Sequence, residues 1–124
     1  MNTTTNTDIQ DEELLEQAEN VLEQALATLP ATSRGIAEFL RRKGIHGKRM
    51  SRSSCPIANW CREILDRDGL FREVRILINA SNGVIQMRNA FLLSALNYVV
   101  LRRNIEVFIK DFDESNRYKF LLPE

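Results

Sequence analysis

The chain has 124 residues, of which 44% are hydrophobic and 27% charged, and its formal net charge at pH 7 is zero. This is the composition of an ordinary globular protein, and the length predicts one domain rather than two. No apolar run approaches the ~20 residues that span a bilayer, and the N-terminus has no apolar segment typical of a signal peptide. We therefore expect a cytoplasmic protein without membrane contact.

The cysteines and the histidine predict no metal or disulfide site. Cys55 and Cys61 are six residues apart in one predicted helix, so their side chains diverge and cannot form a disulfide. With His46, the only histidine, they match no zinc-site spacing. We predict neither a metal nor a cofactor.

The first predicted helix is acidic and amphipathic and covers residues 8–29. Apolar side chains recur along it every three or four residues, and glutamate and glutamine occupy the opposite face. The polar residues 1–7 are expected to form a disordered tail. Residues 8–124 are then a single α+β domain.

The second predicted helix runs from a cap at Thr32 or Ser33 to about Lys43. Gly44 suits the left-handed position after its end, and Ile45 is expected to fold back onto the helix in a Schellman motif.

The third predicted helix begins near Ser54. Ser53 or Ser54 is the expected cap, and Pro56 is tolerated in the first turn. Trp60 lies on its apolar stripe and is expected in the core.

The sheet is indicated by a change in the spacing of apolar residues, from every three or four residues to every second residue. Residues 74–80 alternate apolar and other side chains, and the Asn82–Gly83 dipeptide is a strong hairpin signal. A turn there puts Ile78 opposite Met87 and Val74 opposite Phe91, and places one apolar face on the core. The members of that face are Val74, Ile76, Ile78, Ala80, Ile85, Met87 and Phe91, with Arg75, Gln86 and Arg88 on the other.

The last third of the chain completes the fold. Residues 91–96 fit either a strand or a helix, residues 98–101 favour a third strand, and a last helix begins near Asn104. The tail from Tyr118 to Leu122 is expected to lie on the core. The predicted fold is α+β, with three N-terminal helices packed on a two- or three-stranded antiparallel sheet and closed by a C-terminal helix.

The charges are strongly segregated along the chain. Residues 1–31 carry seven acids and no Lys or Arg, whereas residues 32–54 carry seven bases and one acid. Such a basic segment beside a helix N-terminus is typical of anion binding. We predict a non-catalytic cytosolic binding module whose basic loop 41–52 contacts a phosphate-bearing ligand or nucleic acid, and whose ligand residues are Arg41, Arg42, Lys48, Arg49, Arg52, Ser53 and Ser54. The alternative, that these are ordinary solvated charges covered by the acidic first helix, stays open.

Two further hypotheses belong to other function classes. Helix 8–29 is a candidate surface for a protein partner or for self-association into a homo-oligomer. Alternatively, Cys55 at a helix N-terminus, near several bases, is a candidate catalytic thiolate with His46 as its base.

Two familiar motifs do not fit. The Gly44–Lys48 segment follows a helix rather than a strand and lacks the Ser or Thr of a phosphate loop. A winged helix-turn-helix is disfavoured because about ten residues separate its two helices, where that motif has a turn of three or four.

Several short stretches resemble a family of small uncharacterised bacterial proteins. They are Ile36–Leu40, Gly44–Gly47, the Ser-Cys-Pro-Ile-Ala helix start at 54–58 and the Phe-x-x-x-Phe-Asp pattern at 108–113. The resemblance spans about residues 32–122 and implies a short sheet and a C-terminal helix. The acidic first helix and the run 91–101 depart from it, and it implies no activity.

Overall fold

The computed structural model describes residues 3–69, 74–78, 82–87 and 96–123. The elements in chain order are α1 (Thr3–Ala27), α2 (Ser33–Arg42), α3 (Pro56–Arg67), β1 (Val74–Ile78), β2 (Asn82–Met87), β3 (Leu96–Val100), α4 (Arg103–Glu114) and a 3₁₀ helix (Lys119–Leu121). This order confirms the predicted α+β fold. Within the described residues, no helix is both long and apolar enough to span a membrane.

The first helix is longer than predicted at its N-terminal end. It begins at Thr3, inside the segment 1–7 that we predicted to be a disordered tail, and it ends at Ala27. Its apolar stripe is buried, as the spacing predicts, and the buried side chains are Leu15, Ala18, Leu22 and Leu26. Full burial of a leucine such as Leu22 contributes about 1.5–3 kcal/mol.

The sheet has three antiparallel strands in the order β1-β2-β3. The predicted register is wrong: Ile78 lies opposite Gly83 and Val74 lies opposite Met87. Asn82 and Gly83 belong to β2 and not to a turn, and residues 79–81 lie outside the described residues.

Gly83 lies inside β2 next to a buried side chain of β1. A side chain at Gly83 would come within 2.9 Å of the Ile78 Cδ1 atom and 3.6 Å of the Val99 Cβ atom. A glycine inside a strand often marks such a close approach. Gly83 therefore packs against Ile78 and does not form the predicted turn.

The predicted apolar face of β1 is confirmed at two positions. In the register of the sheet Ile76 pairs with Ile85, and Arg75 pairs with Gln86. Ile76 and Ile78 are buried. Ala80, Arg88, Phe91 and the ambiguous residues 91–95 lie outside the described residues.

The helices divide into two groups around the core. Helices α1 and α3 pack on each other and contact the sheet, whereas α2 packs mainly against α4 and the 3₁₀ helix. Trp60 of α3 is buried and meets the Phe39 ring edge-on at 5.6 Å, which confirms its predicted core position. This arrangement leaves the end of α2, the loop after it and the C-terminal tail next to one another.

Candidate functional site

The basic segment starts at a tightly closed helix end. Gly44 has a φ of 71°, its N–H donates to the Arg41 carbonyl at 3.0 Å, and the Ile45 N–H donates to the Leu40 carbonyl at 2.9 Å. These two bonds are the predicted Schellman motif. Because the chain turns away here, Arg41 and Arg42 remain exposed in the last turn of α2.

The loop after α2 is fastened to the rest of the protein by backbone hydrogen bonds. The Gly47 N–H donates to the Leu121 carbonyl and the Lys48 N–H donates to the Ser54 carbonyl, both at 2.8 Å. A side chain at Gly47 would lie 2.5 Å from the Pro56 Cδ atom. The loop backbone is therefore packed directly on the start of α3.

The N-terminus of α3 is capped by residues of the loop that precedes it. Cys55, not Ser53 or Ser54, is the N-cap, and its Sγ atom accepts the Ala58 N–H at 3.4 Å. Two further N–H groups bond to Ser51. The Cys55 N–H donates to the Ser51 carbonyl and the Ser54 N–H donates to the Ser51 hydroxyl, each at 3.1 Å.

This capping uses backbone donors that we predicted to face an anion at the start of α3. The N–H groups of Ser54 and Cys55 already have acceptors, and Pro56 has no N–H. Ser53 is exposed, and its carbonyl accepts a hydrogen bond from the Arg62 guanidinium. The backbone N–H groups of Ser54 and Cys55 are therefore not available to a ligand.

Arg49 is half-buried, and its guanidinium binds the C-terminal end of α4. Its Nε donates to the Phe112 carbonyl at 3.1 Å, and its Nη2 donates to the Ser115 carbonyl and the Asn116 Oδ1 atom, both at 3.3 Å. Carbonyls at the C-terminal end of a helix have no partner within the helix, and a cation is favoured there. Arg49 thus caps α4, a role that its position in a run of bases did not reveal.

The other predicted cations stay on the surface. Arg42, Lys48 and Arg52 are exposed and form no ion pair with any residue that the structure describes. Arg41 pairs with Glu38 on its own helix at 2.8 Å, and this hydrogen bond lowers the pKa of the Glu38 carboxyl. Four of the five predicted basic ligand residues are thus exposed.

The acidic first helix does not neutralise this segment through any ion pair of the described residues. Ion pairs among them are Arg41–Glu38 and Arg117–Asp111, and neither involves α1. The apolar stripe of α1 packs on α3 and the sheet, so between residues 13 and 29 it is unavailable to a protein partner. Glu13, Glu16 and Glu23 are exposed on its other face.

The cysteine hypothesis finds no support in the surroundings of the thiol. Cys55 is 4% exposed, and burial raises its pKa to about 11, where we predicted a lowered value. His46 is exposed, and its carbonyl accepts the Asn59 side-chain amide at 2.6 Å. Cys61 is fully buried, and burial raises its pKa as well. Burial therefore disfavours a thiolate at both cysteines.

A groove beside the basic segment was missed by the sequence analysis. It has a volume of about 420 Å³ and is lined by Arg34, Glu38, Arg117, Tyr118 and Phe120. At its edge the Ser33 hydroxyl donates to the Asp111 carboxylate at 2.7 Å and lies 2.8 Å from the Tyr118 hydroxyl.

The tail that forms this groove was predicted only to lie on the core. Tyr118 and Leu121 do so, but Phe120 between them is 40% exposed. An aromatic residue in a run of apolar neighbours carries no sequence signal that separates these two positions.

Comparison with known proteins identifies no relative of this chain: no family model matches it, and neither a curated protein nor a solved structure does.

Proposed function

We propose that this protein is a non-catalytic module that binds nucleic acid through the phosphate backbone, using the exposed cations of segment 41–52. The observation that carries the proposal is the exposure of Arg42, Lys48 and Arg52, which have no carboxylate partner among the described residues. Unpaired surface cations attract phosphates and release condensed counterions when they bind.

The loop geometry supports the proposal. Because the loop is held by backbone hydrogen bonds at Gly47 and Lys48, its exposed cations sit on a fixed platform. Binding then requires little ordering of the backbone, which otherwise costs about 1–2 kcal/mol for each residue.

The test is the salt dependence of oligonucleotide binding, measured by fluorescence anisotropy with a labelled 20-mer at 50 to 200 mM salt. The variant Arg42→Ala/Lys48→Ala/Arg52→Ala is expected to bind at least about tenfold more weakly at low salt. The slope of log K against log salt should become shallower by about 2 to 3, since each lost phosphate contact removes about 0.7–0.9. Arg49 is left intact because its replacement would perturb the fold.

The matched control is Arg67→Ala/Arg102→Ala/Arg103→Ala, which removes the same charge from three exposed positions elsewhere. It should keep most of the affinity. Equal losses in the two triple variants would show that only net charge matters, and an unchanged affinity in the first variant would rule out the proposed site.

A further inference from the structure

Phe120 is an aromatic side chain held at the surface next to a cation. It is 40% exposed, and Met50 is the other large hydrophobic residue exposed among the described residues. The guanidinium carbon of Arg41 lies 5.9 Å from the Phe120 ring centroid. The Tyr118 and Phe120 rings meet edge-on, at a centroid distance of 6.2 Å and an interplanar angle of 66°.

Cations surround this ring. Arg34 and Arg117 line the same groove, Lys119 precedes the ring in the chain, and all three are exposed. Glu38 is the carboxylate in the groove lining, and it is already paired with Arg41. Arg117 lies 3.7 Å from Asp111, at the long end of an ion pair, and 69% of its side chain is exposed.

The ring and the basic segment form one continuous surface. Arg41 belongs to the segment and reaches over Phe120, and the Gly47 N–H is bonded to the Leu121 carbonyl. Arg41 therefore connects Phe120 to the basic segment.

We infer that the ligand is a single-stranded nucleic acid, one base of which stacks on Phe120 while its phosphates contact the surrounding arginines. An exposed aromatic ring among cations is the arrangement by which proteins bind single strands, because an unpaired base can leave its neighbours and stack on the ring. In a duplex the bases are paired and stacked on one another, so they do not reach such a ring. This inference rests on the proposed function.

The test compares a labelled 12-nucleotide DNA strand, the equivalent RNA strand and a 12-base-pair duplex at one salt concentration. The wild-type protein should bind the single strands more tightly than the duplex. Phe120→Leu, which keeps an apolar side chain but removes the ring, should weaken single-strand binding by about 5- to 150-fold. Its duplex affinity should change less than twofold, and its salt slope should be unchanged.

Phe120→Trp should retain single-strand affinity, and the fluorescence of the new indole should be quenched when a strand binds. Val21→Ala, which shortens a half-buried apolar side chain of α1 outside both the basic segment and the groove, is the control and should bind as the wild type does. Circular dichroism and urea unfolding of each variant establish that the fold is intact.

The outcomes separate the two proposals. If Phe120→Leu binds single strands as tightly as the wild type while Arg42→Ala/Lys48→Ala/Arg52→Ala binds weakly, stacking is refuted and the electrostatic function stands. An equal loss of single-strand and duplex binding in Phe120→Leu also refutes stacking. If the wild-type protein binds no oligonucleotide in a salt-dependent way, both the phosphate-backbone binding and the stacking on Phe120 are refuted.

Discussion

Replacing Arg49 tests whether the fold or the ligand uses this side chain. Lys48 precedes it in the same basic loop and provides a matched comparison, because Lys48 is exposed and Arg49 is half-buried with three hydrogen bonds. We expect Arg49→Ala to destabilise the protein and Lys48→Ala to leave its stability within about 0.5 kcal/mol.

The magnitude follows from the groups that Arg49 contacts. Its guanidinium satisfies the carbonyls of Phe112 and Ser115 at the end of α4, and hydrogen bonds to a charged group contribute about 1.5–3 kcal/mol. A cation at a helix C-terminus adds about 0.3–1 kcal/mol. Because the bonds share one side chain and both groups are partly solvated, the contributions do not add in full. The expected loss for Arg49→Ala is about 2–3 kcal/mol.

The assay is urea unfolding followed by far-ultraviolet circular dichroism, with thermal unfolding as a second measurement. For a chain of this length, a loss of 2–3 kcal/mol lowers Tm by about 10 °C. Arg49→Lys keeps the charge but loses the planar guanidinium with its several donors. Its Tm should therefore lie between those of Arg49→Ala and the wild type. The reasoning is refuted if Arg49→Ala and Lys48→Ala unfold at the same urea concentration.

Two further predictions concern Gly47 and the cysteines. Gly47→Ala should lower the free energy of unfolding by about 2–4 kcal/mol. The new methyl group would meet the backbone at the start of α3 and would weaken the hydrogen bond from the Gly47 N–H to the Leu121 carbonyl. A methyl group at Gly44 meets no atom within 4 Å, so Gly44→Ala should lower the free energy of unfolding by only about 1 kcal/mol, because of the positive φ. Equal urea midpoints for Gly47→Ala and Gly44→Ala would contradict the close packing of the loop on α3. Burial raises the pKa of Cys55 from 9.0 to about 11, so the unfolded chain loses this proton first and the free energy of unfolding should fall as pH rises from about 9 to 11. At pH 8 a thiol reagent should label Cys55 and Cys61 only in urea, and rapid labelling of the native protein would contradict their burial.

Arg49 stabilises the fold while Lys48 and Arg52 face solvent, and the chemistry of the guanidinium explains the difference. A guanidinium carries several donors in one plane, so Arg49 can satisfy two carbonyls and an amide oxygen at once. Lys48 and Arg52, on the solvent side of the same loop, remain available to an anion. A run of like charges therefore contains both fold-stabilising and solvent-facing members, and only the direction of each side chain separates them.

Local sequence was sufficient for the helices and the fold class. The spacing of apolar residues in 8–29, the cap at Thr32 and the glycine at Gly44 act over one or two helical turns, so the relevant neighbours are close in the chain. The Thr32 side chain indeed accepts the Gly35 N–H at 3.0 Å. The alternation in 74–78 likewise identified the buried face of β1.

Contacts between distant residues decided the rest. The hairpin register pairs Ile78 with Gly83, which local alternation did not predict, and the role of Arg49 depends on the end of α4, more than 60 residues away. The exposure of Phe120 likewise follows from how the C-terminal tail meets α2. Sequence periodicity determines which face of an element is apolar, because that is a local property of the backbone. Which donor meets which acceptor, and which ring is left in solvent, depends on the packing of elements far apart in the chain, and only the tertiary structure decides it.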